Sequence, residues 1–183
     1  MMHHLLFVCR LALASVLAFA ALGKLGSRDA FSSFRASLPA FGVPARLATR
    51  WFAALLVAAE LAACAALVAV PRLGGGLAAG LLAGFALGVV HVLRGGQAVR
   101  CRCFGAGAAT VGRAHLIRNV ALAAIAIAVA ILAPSHPLSF AVRPDVILAA
   151  LAGLGLGALI ARWDDLVFLF STASLGASRR SSP

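Results

Sequence analysis

The chain predicts an all-α, multi-pass transmembrane helix bundle, and three observations carry that prediction. Hydrophobic residues make up 63% of the 183 and charged residues 11%, whereas a soluble domain spends about a quarter of its residues on charge. Too little charge remains to coat a globule. Apolar runs recur that are long enough, at about 1.5 Å per residue, to cross the roughly 30 Å of bilayer hydrocarbon. The arginines gather in the breaks between those runs. Inside hydrocarbon the backbone finds no water to bond with, so each run must satisfy its own N–H and C=O groups as a helix.

Five spans follow in order, at about Leu5 to Leu22, Trp51 to Val70, Leu73 to Leu93, Leu116 to Ala133 and Val146 to Ile160. The fifth is the shortest, and RWDDLVFLF (162–170) continues it as an interfacial helix. Residues 1–170 therefore read as a single integral membrane domain, with a core over 5–133 and an additional C-terminal helix within 143–170. The tail STASLGASRRSSP (171–183) is small and polar without an apolar period, so disorder is expected there. The first span has a rival reading as a signal peptide, since AFA before Ala21 resembles a cleavage site. MMHH, which lacks Lys and Arg, and Arg10 within the apolar stretch favour a retained helix.

The segment from Lys24 to Arg50 has structure of its own. Phe31, Phe34, Leu38 and Phe41 recur at spacings of three and four, so Phe31 to Leu38 reads as a helix with one apolar stripe, stopped by Pro39. Such a helix either lies in the headgroup plane or packs on the bundle. With no tyrosine in the chain, the interfacial belts fall to Trp51, Trp163 and the phenylalanines.

The net charge of +11 does not indicate nucleic acid, because the basic residues are dispersed between apolar runs rather than gathered in one stripe. It sets orientation instead. Lys24, Arg28, Arg35, Arg46, Arg50, Arg94, Arg100, Arg102, Arg113, Arg118, Arg162, Arg179 and Arg180 fall on one side of a five-span layout, against Arg10, Arg72 and Arg143 elsewhere. Positive-inside bias makes the rich side cytoplasmic, in a multi-pass protein of the cell membrane. In the third span Gly76, Gly80, Gly84 and Gly88 recur at every fourth position, which predicts a side-chain-free face against a neighbouring helix. Gly153, Gly155 and Gly157 lie out of that phase and make a weaker case.

Chemistry has two candidate seats. Cys101 and Cys103 stand one residue apart in VRCRCFGAGAATVGR, with Arg100 and Arg102 adjacent and Phe104 and Gly105 following. A thiolate is the reactive form, and neighbouring cations favour it; a disulfide across one residue is strained and easily reduced. A redox couple, a soft metal site completed by His91 or His115, and a chance pairing all remain open on spacing alone. Glu60 is the second seat. It stands near the middle of the second span, where an ionisable group needs a partner, and Arg10, Lys24 and Arg118 are the candidates. A register-fixing ion pair and a proton-handling role weigh equally. Cys9 and Cys64 read as small buried apolar residues. Arg118 reads as snorkelling to headgroups, and Asn119 as hydrogen-bonding to a neighbouring helix.

FAALGKL closing the first span, the phenylalanine-bearing AFSSFRASLPAFGVP, a membrane glutamate, and CRCFG followed by VGRAHLIRN occur in that order. The ordered set resembles the MauE family of methylamine-utilisation membrane proteins, relatives of the DoxX-like four-helix membrane proteins, over roughly residues 5 to 133. The resemblance implies a four-helix core with the fifth helix added. It implies thiol–disulfide chemistry at the membrane beside a thioredoxin-like partner, supporting maturation of a client such as methylamine dehydrogenase. In that role the chain is an exchange component rather than a stand-alone enzyme. The family's motif falls on Cys101, Cys103, Phe104 and Gly105, with Lys24, Glu60, Arg118 and Asn119 as accompanying polar positions. No cofactor or metal is assigned. The alternative is a non-catalytic scaffold or chaperone with structural cysteines.

Overall fold

The computed structural model describes residues 2–96, 111–133 and 144–161. They form six α-helices and two 3-10 turns: α1 (Met2–Leu25), α2 (Arg28–Ser37), turns at Leu38–Phe41 and Ala45–Leu47, α3 (Arg50–Ala69), α4 (Pro71–Arg94), α5 (Arg113–Leu132) and α6 (Pro144–Ala161). Four helices are long and apolar enough to cross a membrane, over Leu5–Leu25, Arg50–Ala69, Pro71–Arg94 and Arg113–Leu132, with Val146–Ala161 a shorter apolar helix. The architecture is an all-α multi-pass bundle. Residues 162–170, read as a continuation of the fifth span, and the 171–183 tail lie outside the described residues.

α1 runs through the centre. Leu13, Val16, Leu17, Ala20 and Ala21 are buried along its length. Leu13 and Leu17 meet Ala63 and Leu67 of α3, Ala78 and Leu82 of α4, and Leu122, Ala126 and Val129 of α5 in one cluster. Leucines set against alanines let the helices approach closely, which matters where lipid is as apolar as the core and burial alone drives nothing together. The outward faces keep large apolar residues exposed, among them Leu55, Leu87, Ile117 and Ile131, as a lipid-facing surface requires.

The helix ends are closed by side chains from neighbours. Arg10, inside α1, donates from Nε and Nη2 to Leu67 O at 3.0 and 2.9 Å, and from Nη2 to Val68 O at 3.2 Å. These carbonyls belong to the last turn of α3, which has no helical donors left to satisfy them, and a cation is favoured at that end of the helix dipole. Arg72 Nε likewise donates to Ala133 O, past the end of α5, at 3.0 Å. Thr49 caps the start of α3 by accepting from Phe52 N–H at 3.2 Å, and Ser27 caps α2 by accepting from Ala30 N–H at 3.0 Å.

α2 settles on the bundle. Phe34 and Leu38 are buried against Ala21 of α1 and Ala53 and Val57 of α3, so the apolar stripe is a packing face. Pro39 sits at the start of the following 3-10 turn, as its effect on the preceding helix dictates. Gly42, with φ 88°, closes that turn, a left-handed conformation that suits glycine.

The glycines correct the expected packing face. A Cβ at Gly76, Gly80 or Gly84 would meet no atom within 4 Å, and only Gly88 is covered, by the Phe41 ring at 3.0 Å. The inward face of α4 is carried by Ala78, Leu82 and Val89, and residues two apart on a helix lie about 200° apart. The stripe therefore faces away from the core. Close approach is made instead by Gly74, against the backbone of Leu67, and by Gly75, where a Cβ would fall 2.6 Å from Ala130 N. The weaker glycines of the last helix also pack: a Cβ at Gly153 would lie 2.8 Å from Val8 O, and one at Gly157 would lie 2.6 Å from Ala12 O.

Those contacts dock α6 alongside α1. Gly153→Leu or Gly157→Leu should lower the stability of the purified chain by about 1–3 kcal/mol through overpacking. Gly155→Leu, where a Cβ meets nothing within 4 Å, should stay within about 0.5 kcal/mol of the parent. Thermal unfolding in detergent measures the difference.

Candidate functional site

Successive spans alternate direction, so the ends carrying Lys24, Arg50, Arg94 and Arg113 lie at one end of the bundle, with α2 across it. This is the basic end. Trp51 marks its rim at 75% exposure, with the Arg50 guanidinium 5.2 Å from the ring centroid. A tryptophan and an arginine paired in this way suit the headgroup region.

Beneath that rim lies a buried ion pair. Lys24 Nζ is 2.5 Å from Glu60 Oε1, and the two residues are 2% and 0% exposed. Lys24 stands one residue from the end of α1, where a lysine reaches headgroups at little cost. It does not go there. Cys64 Sγ donates to Ala14 O at 3.4 Å and Arg10 reaches Val68 O, an antiparallel register that puts the backbone of Lys24 near the second turn of α3. Glu60 is deeper. Side chains on a helix lean toward its N-terminus, so Lys24 reaches inward, Glu60 reaches toward the basic end, and they meet between. Two aromatic rings complete the enclosure, Phe34 of α2 at 5.0 Å and Phe85 of α4 at 5.3 Å from Nζ to the centroid. A desolvated cation over aromatic faces gains about 2 kcal/mol.

Of the three partners the sequence offers Glu60, Lys24 is the one in contact. Arg10 is engaged with the end of α3 instead, because the carbonyls of its last turn lie level with it. Glu60 Oε2 is buried and accepts no hydrogen bond among the described residues. Glu60, Phe85 and Asn119 each lie one helical turn toward the basic end from a core residue, Ala63, Leu82 and Leu122 respectively, so two polar side chains and an aromatic ring cap the apolar core.

Asn119 is buried, and its Oδ1 accepts no hydrogen bond among the described residues. Arg118 is half-buried, with its Nε and Nη2 closed to solvent. His115 Nδ1 accepts from Gly112 N–H at 3.3 Å at the start of α5, and the His91 ring lies beside Gly42. Cys9 and Cys64 are free thiols that pack against the core while only partly buried, where the sequence reading had them buried. Cys101, Cys103, Arg100, Arg102, Phe104 and Gly105 lie outside the described residues. Their segment joins α4 to α5 at the basic end by chain connectivity.

The sequence reading missed Phe85 as part of this enclosure. Its signal was weak: one phenylalanine in a helix of small residues, three positions from the core face at Leu82.

Chemically, the pair is an ammonium and a carboxylate sharing one short, charge-assisted hydrogen bond with water excluded. Removing one partner strands the other. Lys24→Met and Glu60→Leu alone should each cost about 3–5 kcal/mol, while the double variant recovers most of that loss. A double-mutant cycle of detergent-solubilised unfolding measures the coupling.

No curated protein matches the chain, and no solved structure matches it. The family model described as methylamine utilisation protein MauE matches residues 2–133, which takes in α1 to α5 and the thiol segment between α4 and α5. The chain belongs to the MauE family, as a multi-pass membrane protein.

Proposed function

We propose that the chain supports thiol–disulfide exchange at the membrane through Cys101 and Cys103, with a thioredoxin-like partner and a client such as methylamine dehydrogenase. The observation that carries the proposal is the MauE family match over residues 2–133, which takes in Cys101 and Cys103; the buried Glu60, with Oε2 unengaged among the described residues, stands in the same bundle. Family membership supports the methylamine connection. The basic end supports a thiolate, since Arg94, Arg113 and Arg118 border the segment and Arg100 and Arg102 lie within it.

In the exchange, one thiolate of the pair attacks a sulfur of the partner's disulfide, forming an intermolecular S–S bond and releasing the other partner sulfur as a thiolate. The second cysteine of the pair, deprotonated, attacks the first and releases the partner. The partner disulfide becomes a dithiol and Cys101–Cys103 becomes a disulfide. Two electrons and two protons pass to the partner, and the reverse sequence returns them. Glu60 takes up or gives back a proton during these steps, with Lys24 holding its carboxylate in place.

Orientation follows from the same end. Two of the three basic residues at odds with a single charged face, Arg10 and Arg72, cap α3 and α5, so packing accounts for them. We place the basic end, and the thiol segment with it, in the cytoplasm, where reducing equivalents are available to pass on.

Cys101→Ser or Cys103→Ser should accumulate a mixed disulfide with the partner, resolved on a non-reducing gel and lost with dithiothreitol. The double serine variant should show none and should halt client maturation. Unchanged maturation in both single variants, with no trapped species, contradicts the proposal and leaves a scaffold.

A further inference from the structure

An apolar groove of about 300 Å³ opens beside the ion pair, between α2 with its following turn, α3 and α4. Phe34, Phe41, Phe52 and Phe85 wall it, and Gly80 and Gly84 are part of its lining. This is where the glycine stripe acts. A Cβ at Gly76, Gly80 or Gly84 would meet nothing within 4 Å, so the missing side chains leave a trough along this face of α4. The volume is at the low end of small-molecule pockets, about 300–1,000 Å³. Nothing in such a lining holds water, and the surroundings are hydrocarbon.

The charges beside the groove select the kind of molecule. The segment that supplies Phe34 and Phe41 and leads into Phe52 carries Arg28, Arg35, Arg46 and Arg50 against one acid, Asp29. Arg94 ends α4 beyond the groove. A molecule with an apolar chain and an anionic head is complementary to both features at once.

We propose that the groove holds one acyl chain of an anionic phospholipid, with its headgroup among the arginines of the basic end. The chain lies along Gly80 and Gly84, and its buried part rests against Phe34 and Phe85. These are the two rings that face the Lys24 ammonium, so the lipid completes the dry wall around the Lys24–Glu60 pair.

The glycines supply the test. A Cβ at Gly84, Gly80 or Gly76 meets nothing within 4 Å, so a side chain can leave the backbone freely at each, and of the three only Gly80 and Gly84 line the groove. The full chain is reconstituted in nanodiscs of mixed phosphatidylglycerol and phosphatidylcholine, then released and weighed by native mass spectrometry. The parent and Gly76→Leu should retain one phosphatidylglycerol. Gly84→Leu and Gly80→Leu should each lose that adduct by about tenfold while melting like Gly76→Leu. Retention of phosphatidylglycerol by both groove variants at the parental level overturns the proposal. So does equal retention of phosphatidylcholine by the parent, or a parental dimer without lipid that Gly84→Leu dissociates.

Discussion

Everything else in the bundle is arranged around a salt bridge that lies where salt bridges are expensive. Lys24 and Glu60 are both closed to solvent and are held by one hydrogen bond between α1 and α3. Desolvating an ammonium and a carboxylate costs several kcal/mol per ion, and their attraction offsets this only when geometry and further contacts are good. The surroundings supply those contacts: two aromatic faces on the cation, and the α2 segment folded over the top. An apolar pair of similar volume serves a purely mechanical purpose as well or better. A carboxylate kept in this position, with one oxygen unengaged among the described residues, is the feature on which the proposed proton-handling role rests.

The remaining polar groups follow from one constraint, that no backbone group inside hydrocarbon goes unsatisfied. Arg10 and Arg72 look anomalous in an apolar run or a tight turn until the carbonyls at the ends of α3 and α5 are considered. Each arginine sits on one helix and closes another. α4 meets its neighbours through Gly74 and Gly75, while α6 meets α1 through Gly153 and Gly157. Small residues therefore decide how close each pair of helices comes, and leucines fill what remains.

Much of this was legible in the sequence because membrane helices announce themselves by length and composition. The spans near Leu5, Trp51, Leu73 and Leu116 agree with α1, α3, α4 and α5 to within a turn at most ends. Glu60 stood out because an acid in mid-span has no cheap explanation, and Lys24 was among its named partners. Which glycines pack was not legible. A four-residue repeat marks one stripe of a helix but not whether that stripe faces a neighbour, and here Ala78 and Leu82 claim the opposite face. Phe85 joined the site through α4 packing beside α1, a tertiary fact with no local mark. Cys101 and Cys103 rest on sequence and family alone.

The central claim is that the ion pair takes part in the exchange chemistry and is more than a brace. Differential alkylation of Cys101 and Cys103 in cells, followed over time after an oxidative pulse, tests it in the Lys24→Met/Glu60→Leu double variant, which is expected to retain the fold without an ionisable pair. Slow return of the pair to its starting redox state, in a variant present at parental abundance, is the predicted result. Return at the parental rate would show that the charges only hold α1 against α3.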